Sequence, residues 1–123
     1  MKAVFIFLTL ALAMSQCRQS LDAHIHSLHD QNQEKVKSLE RTINDLVSLR
    51  NSINIQGRAL TPEEINFTGM VNDVEYTYRE ALQELGELRK LPADSSRLEK
   101  EQTLNTVLSE LNARADSILQ NRN

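Results

Sequence analysis

All three histidines of the chain fall in one nine-residue stretch, DAHIHSLHD, as His24, His26 and His29, flanked by Asp22 and Asp30. Imidazole and carboxylate are the ligand types that hold zinc, nickel or copper. On a helix, Asp22, His26, His29 and Asp30 would share one face, while His24 would point away. That face offers two histidines and two carboxylates, but no second ligand-bearing segment follows to close the site. No metal is therefore assigned, and the stretch is read as a solvated helical stalk. The other residue with chemistry of its own is Cys17, the only cysteine, at the foot of the run FLTLALAMSQC. A lone cysteine excludes any disulfide within the chain. Beyond these residues there is no glycine-rich phosphate loop, nucleophile elbow or paired zinc motif. The expectation is a protein without catalytic residues or cofactor.

The residues before Cys17 bear on its fate. Met1, Lys2 and the apolar stretch from Ala3 to Met14 have the layout of an export signal, too short for a membrane-spanning helix of about 20 residues. Two processing routes follow. Cleavage after Ala13-Met14-Ser15 would leave Gln16 as the new N-terminus and Cys17 as a free thiol in an oxidising compartment. Alternatively, LAMSQC resembles the lipobox of bacterial lipoproteins, with Gln16 where that pattern usually has Gly, Ala or Ser. This resemblance implies a signal peptide over 1–16. It also implies Cys17 as the first mature residue, lipidated with palmitate-type acyl chains on its thiol and amine. With Arg18 rather than Asp after the cysteine, it further implies retention at the outer membrane of a bacterial envelope. One acyl chain binds a membrane only marginally, so a stable anchor needs the several that such lipoproteins carry.

Without residues 1–16 the chain keeps 13 basic and 17 acidic side chains, a balance of −4, with the signs interspersed. A nucleic-acid binder would gather Lys and Arg on one face, so that partner is not expected.

The remaining sequence reads as three helices and no strands. From Cys17 to Gln56 there is neither Gly nor Pro, and Leu21, Ile25, Leu28, Val36, Leu39, Ile43, Leu46 and Ile53 recur at helical spacing. The eight residues from Leu28 to Val36, with Asn32 between, read as a stutter in a heptad pattern. Gly57 ends this helix. In LTPEEI, Thr61 is an N-cap, Pro62 the first helical residue, and Glu64 completes a capping box; Leu60 and Ile65 are placed as a hydrophobic staple. A clean heptad follows at Phe67, Val71, Val74, Tyr78, Ala81, Leu85 and Leu88, up to Leu91-Pro92. Asp94, Ser95 or Ser96 can cap the last helix, whose seam is Leu104, Leu108, Leu111, Ala115 and Ile118. The expectation is an all-α, elongated antiparallel three-helix bundle with coiled-coil-like packing, its helices over about 19–56, 62–90 and 96–120 in a domain spanning 17–123.

A thin bundle offers little concave volume for a ligand. The leading functional expectation is an envelope lipoprotein that acts as a scaffold or protein-interaction module. Its partner would be another envelope protein or a second copy, met through helical seams. Tyr76, two residues from the seam residue Tyr78, is expected on the surface, where tyrosine often anchors contacts. Two alternatives stand beside it. LTPEE resembles the LTPEQ-like segment of the Spy and CpxP family, with Glu64 in place of Gln and only one such segment. That resemblance implies a periplasmic helical chaperone or metal-binding stress protein. The sequon Asn66-Phe67-Thr68 instead fits a secreted helical glycoprotein with Cys17 in an intermolecular disulfide.

Overall fold

The computed structural model describes residues 2–122, with side chains from position 20 to 122. Three helices make up the fold: α1 (Lys2–Ile55), α2 (Pro62–Leu88) and α3 (Ser95–Arg122). The chain is an all-α three-helix bundle in which each helix packs against both others. The ends of α2 and α3 fall within two residues of expectation. The start of α1 does not: the helix continues back through the apolar run to Lys2 instead of beginning near position 19. No glycine or proline interrupts that stretch.

Short connections fold α2 back along α1 and α3 back along α2, so α1 and α3 run parallel. Side chains facing each other across α1 and α3, such as His29 and Glu101 or Thr42 and Asp116, keep a near-constant offset of 72 and 74 residues. The antiparallel α1–α2 pair is fixed by Arg50, whose guanidinium lies 3.0 Å from the Glu75 carboxylate and donates to Asn72 Oδ1 at 2.7 Å. Glu75 also pairs with Arg79 at 2.9 Å, four residues on along the same helix.

The buried positions form three heptad seams. On α2 they are Phe67, Val71, Val74, Tyr78, Ala81, Leu85 and Leu88, the whole expected set. On α3 the expected Leu104, Leu108, Leu111, Ala115 and Ile118 are buried, and Arg97 and Glu101 extend the same seam toward the helix start. On α1 the buried residues among the described side chains are Ile25, His29, Asn32, Val36, Leu39, Ile43, Leu46 and Ile53. From Ile25 to Leu46 their spacing alternates between four and three without a break. The expected stutter is therefore absent. Its apparent extra residue came from assigning the seam to Leu28, which is only half-buried, rather than to His29, which is 6% exposed.

The helix ends are set locally. Gly57 takes φ +66° after α1, the left-handed conformation that an L side chain enters only with strain. Thr61 and Glu64 form the full capping box: Glu64 N–H donates to Thr61 Oγ1 at 3.2 Å, and Thr61 N–H donates to Glu64 Oε1 at 2.9 Å. Leu60 packs against the core, but Ile65 stays 59% exposed, so the expected staple does not close. At α3 the cap is Asp94, whose Oδ1 accepts from Arg97 N–H at 3.0 Å. Ser96 already lies inside the helix and cannot cap it.

Arg58 adds two hydrogen bonds to the Glu64 carboxylate, at 2.8 and 2.7 Å. Those bonds first, and the Thr61 backbone N–H second, hold the Glu64 carboxyl at about 2 against an ordinary 4.5. The folded helix start thus binds this proton less readily than the unfolded chain. The stabilisation is complete above the ordinary value and is lost as pH falls through about 2. An NMR titration of the Glu64 side chain should give a midpoint well below that of a free carboxyl, and Arg58→Ala should bring it most of the way back.

Gly69 and Gly86 lie within α2, and a Cβ built on either meets nothing within 4 Å. Neither glycine serves a close helix approach. Gly69→Ala and Gly86→Ala are each expected to raise stability by up to about 1 kcal/mol, seen as a higher Tm.

Candidate functional site

Toward the start of α3 the core turns polar, and four heptad positions converge there. His29 and Asn32 come from α1, Arg97 and Glu101 from α3, and all four are buried. The Glu101 carboxylate is the hub. Its Oε1 accepts from His29 Nδ1 at 2.7 Å, its Oε2 accepts from Asn32 Nδ2 at 2.8 Å, and Arg97 Nε lies 3.7 Å from Oε1. Arg97 Nη1 also donates to the carbonyl of Leu91 in the α2–α3 connection, at 3.1 Å. From Asn32 the network runs outward: Asn105 Nδ2 donates to Asn32 Oδ1 at 2.9 Å, and Lys35 Nζ donates to Asn105 Oδ1 at 2.8 Å. His29 Nε2 and Arg97 Nε find no hydrogen-bond acceptor or donor in this shell. The layer fixes which residues of α1 and α3 lie side by side.

This arrangement splits the residues that could share one helical face. His29 is turned into the bundle toward Glu101, while Asp22, His24, His26 and Asp30 are exposed. His26 Nε2 lies 3.4 Å from Asp22 Oδ1 on the surface. The sequence placed His29 with these residues because helical spacing alone does not say which edge of a face becomes the seam. Among the described residues, no group of three His, Cys, Asp or Glu side chains is placed to hold a metal ion.

On the far side of the bundle, α2 and α3 enclose an open groove of about 630 Å³. Its floor includes Ala81, Leu104 and Val107, and its walls carry Glu80, Glu84 and Glu87 from α2 and Glu99 from α3, with Lys100 beside them. The three α2 carboxylates follow the four-three spacing of a heptad flank. Tyr76, one turn before Glu80, is 64% exposed, as its position in the sequence suggests. The Glu80 carboxylate raises the Tyr76 phenol above its ordinary value, first by hydrogen bonding and then by charge. Tyr78 faces the core instead, and burial chiefly, then the Glu40 charge, raises its phenol.

Comparison with protein-family models, curated proteins and solved structures finds no match to this chain. The functional reading therefore rests on the residues themselves. Cys17, the expected lipidation site, is carried on α1, but its side chain lies outside the described residues. The expected export signal over 1–16 falls in the same stretch, whose side chains lie outside the described residues. Asn66 of the sequon is exposed, and its neighbour Phe67 is 5% exposed in the seam. No helix among the described residues is long and apolar enough to cross a membrane.

Proposed function

We propose that the chain is a non-enzymatic bacterial envelope lipoprotein, a helical scaffold or interaction module anchored at the outer membrane through acyl chains on Cys17. The observation that carries this reading is the way the lipobox-like LAMSQC joins the bundle. Cys17 precedes Ile25, the first buried seam residue among the described side chains, by only eight positions, and no glycine or proline intervenes. An anchor there is coupled to the bundle by continuous helix rather than by a flexible linker of the glycine- and serine-rich kind. Partners would be another envelope protein or a second copy.

The test is the mass of the intact mature protein and of its N-terminal peptide. A diacylglyceryl, N-acylated peptide beginning at Cys17 is the expected result. Cys17→Ser should then move the protein from the detergent phase to the aqueous phase on detergent partitioning. An unmodified or cyclised Gln16 terminus would remove the lipid anchor from the reading. A chaperone that holds unfolded chains would need a broad exposed apolar surface, whereas the open groove between α2 and α3 is rimmed by Glu80, Glu84, Glu87 and Glu99.

A further inference from the structure

The three grooves between helix pairs are not closed alike. Across α1 and α3, Glu101 binds His29 and Asn32, and Lys35 reaches Asn105 and Ser109. Across α1 and α2, Arg50 joins Asn72 and Glu75. Across α2 and α3, among the described residues, no side-chain hydrogen bond or ion pair closes the gap. Polar contact there is limited to the Arg122 guanidinium lying 4.3 Å above the Phe67 ring, at the end of the bundle away from the groove.

The groove that remains open has an apolar floor and an anionic rim. Glu80 and Glu84 stand four residues apart and Glu84 and Glu87 three apart, distances at which like charges on a helix repel. Among the described residues, none of Glu80, Glu84, Glu87 or Glu99 forms an ion pair. Lys100 is the only basic residue lining the groove against these four carboxylates, so a net negative charge remains along the one groove that the chain does not cross-link.

We propose that the α2–α3 groove is the docking site for a basic amphipathic helix of a partner protein, with Lys or Arg at the four-three spacing of Glu80, Glu84 and Glu87. This specifies the partner chemistry of the interaction-module reading above, and it rests on that reading. The charge pattern favours a different protein over a second copy. No helix of this chain carries three basic residues at four-three spacing. The run from Glu80 to Glu87 rises about 10.5 Å, two turns of a helix laid alongside. The partner's apolar stripe would sit over Leu104 and Val107, and its basic flank would meet the carboxylates, the helix-in-groove mode of recognition.

The probe is a fluorescein-labelled 21-residue peptide of three leucine–lysine heptads, titrated into the purified full chain. Binding is read by anisotropy and mapped by amide chemical shifts. Two variants of equal charge change are compared: Glu80→Gln with Glu84→Gln and Glu87→Gln, and the control Glu34→Gln with Asp45→Asn and Glu63→Gln. The groove variant should bind at least about tenfold more weakly while the control stays within about twofold, since charge complementarity is local to the contact. The amide shifts should lie along α2 and α3. Circular dichroism should show both variants folded, because the groove substitutions relieve repulsion. Equal weakening in both variants, or shifts centred elsewhere, would overturn the site. Displacement of the peptide by spermidine at equal concentration would overturn the helical partner in favour of a small polycation. This experiment reads neither acylation nor location, so loss of the lipid anchor and loss of the groove are separate outcomes.

Discussion

Replacing Glu101 with alanine is expected to destabilise the bundle by about 3–5 kcal/mol, read as a lower urea midpoint at unchanged slope. The carboxylate is fully buried and is the shared acceptor for His29 and Asn32. It is also the nearest countercharge to an Arg97 side chain that is 7% exposed. Its removal leaves a buried guanidinium uncompensated and two donors unmet, and that desolvation cost is larger than the net worth of the bonds lost. A domain of this size is held by roughly 5–15 kcal/mol, so one side chain would consume a large share. Converting the whole layer to apolar residues has the opposite sign. A variant with His29→Leu, Asn32→Leu, Arg97→Met and Glu101→Leu should recover or exceed the parent midpoint, because the four buried polar side chains then need no desolvation and the groups left without them, Asn105 and the Leu91 carbonyl, are only part-buried.

Leu108→Ala should cost about 2–5 kcal/mol and lower Tm by about 10 °C or more. Leu108 has no exposed surface and lies in the middle of the α3 seam, with buried residues before and after it and both other helices packed around it. Little can collapse into the space that it vacates. Ile118, 8% exposed near the end of the same helix, has solvent on one side, and Ile118→Ala should fall at the low end of that range. Thermal unfolding of the two variants side by side tests this ordering.

Most of the fold was legible because apolar residues mark the seams. On α2 every seam position is apolar or aromatic, and the buried set matches the pattern residue for residue. Legibility failed where the seam turns polar. His29 read as a candidate ligand, and Arg97 and Glu101 did not register as seam residues. Leu28, the nearest apolar neighbour, produced a stutter that does not exist. One signal was available: counting back from Val36 and from Leu104 in unbroken four-three steps lands on Asn32, His29 and Ile25, and on Glu101 and Arg97. What no local pattern gives is that these two polar stretches meet. The α2–α3 groove is hidden for a similar reason, since its openness depends on which helix pairs cross-link. Capping was the reverse case. The Thr61–Glu64 box depends only on neighbours in sequence and was readable in full, whereas Ile65 stays exposed because nothing local compels its contact with Leu60.

The parallel pairing of α1 with α3 also bears on rates. His29 and Glu101 are 72 residues apart, so their contact closes one of the longest loops in the chain, while the α1–α2 hairpin brings Arg50 to Asn72 across only 22. Short loops close at lower entropic cost and long ones later, which places the polar layer among the last contacts made. Contacts absent from the transition state leave the folding rate nearly unchanged and govern how fast the native state opens. The hub at Glu101 thus acts as a brake on unfolding, and its loss should shorten the lifetime of the folded bundle far more than it slows its formation.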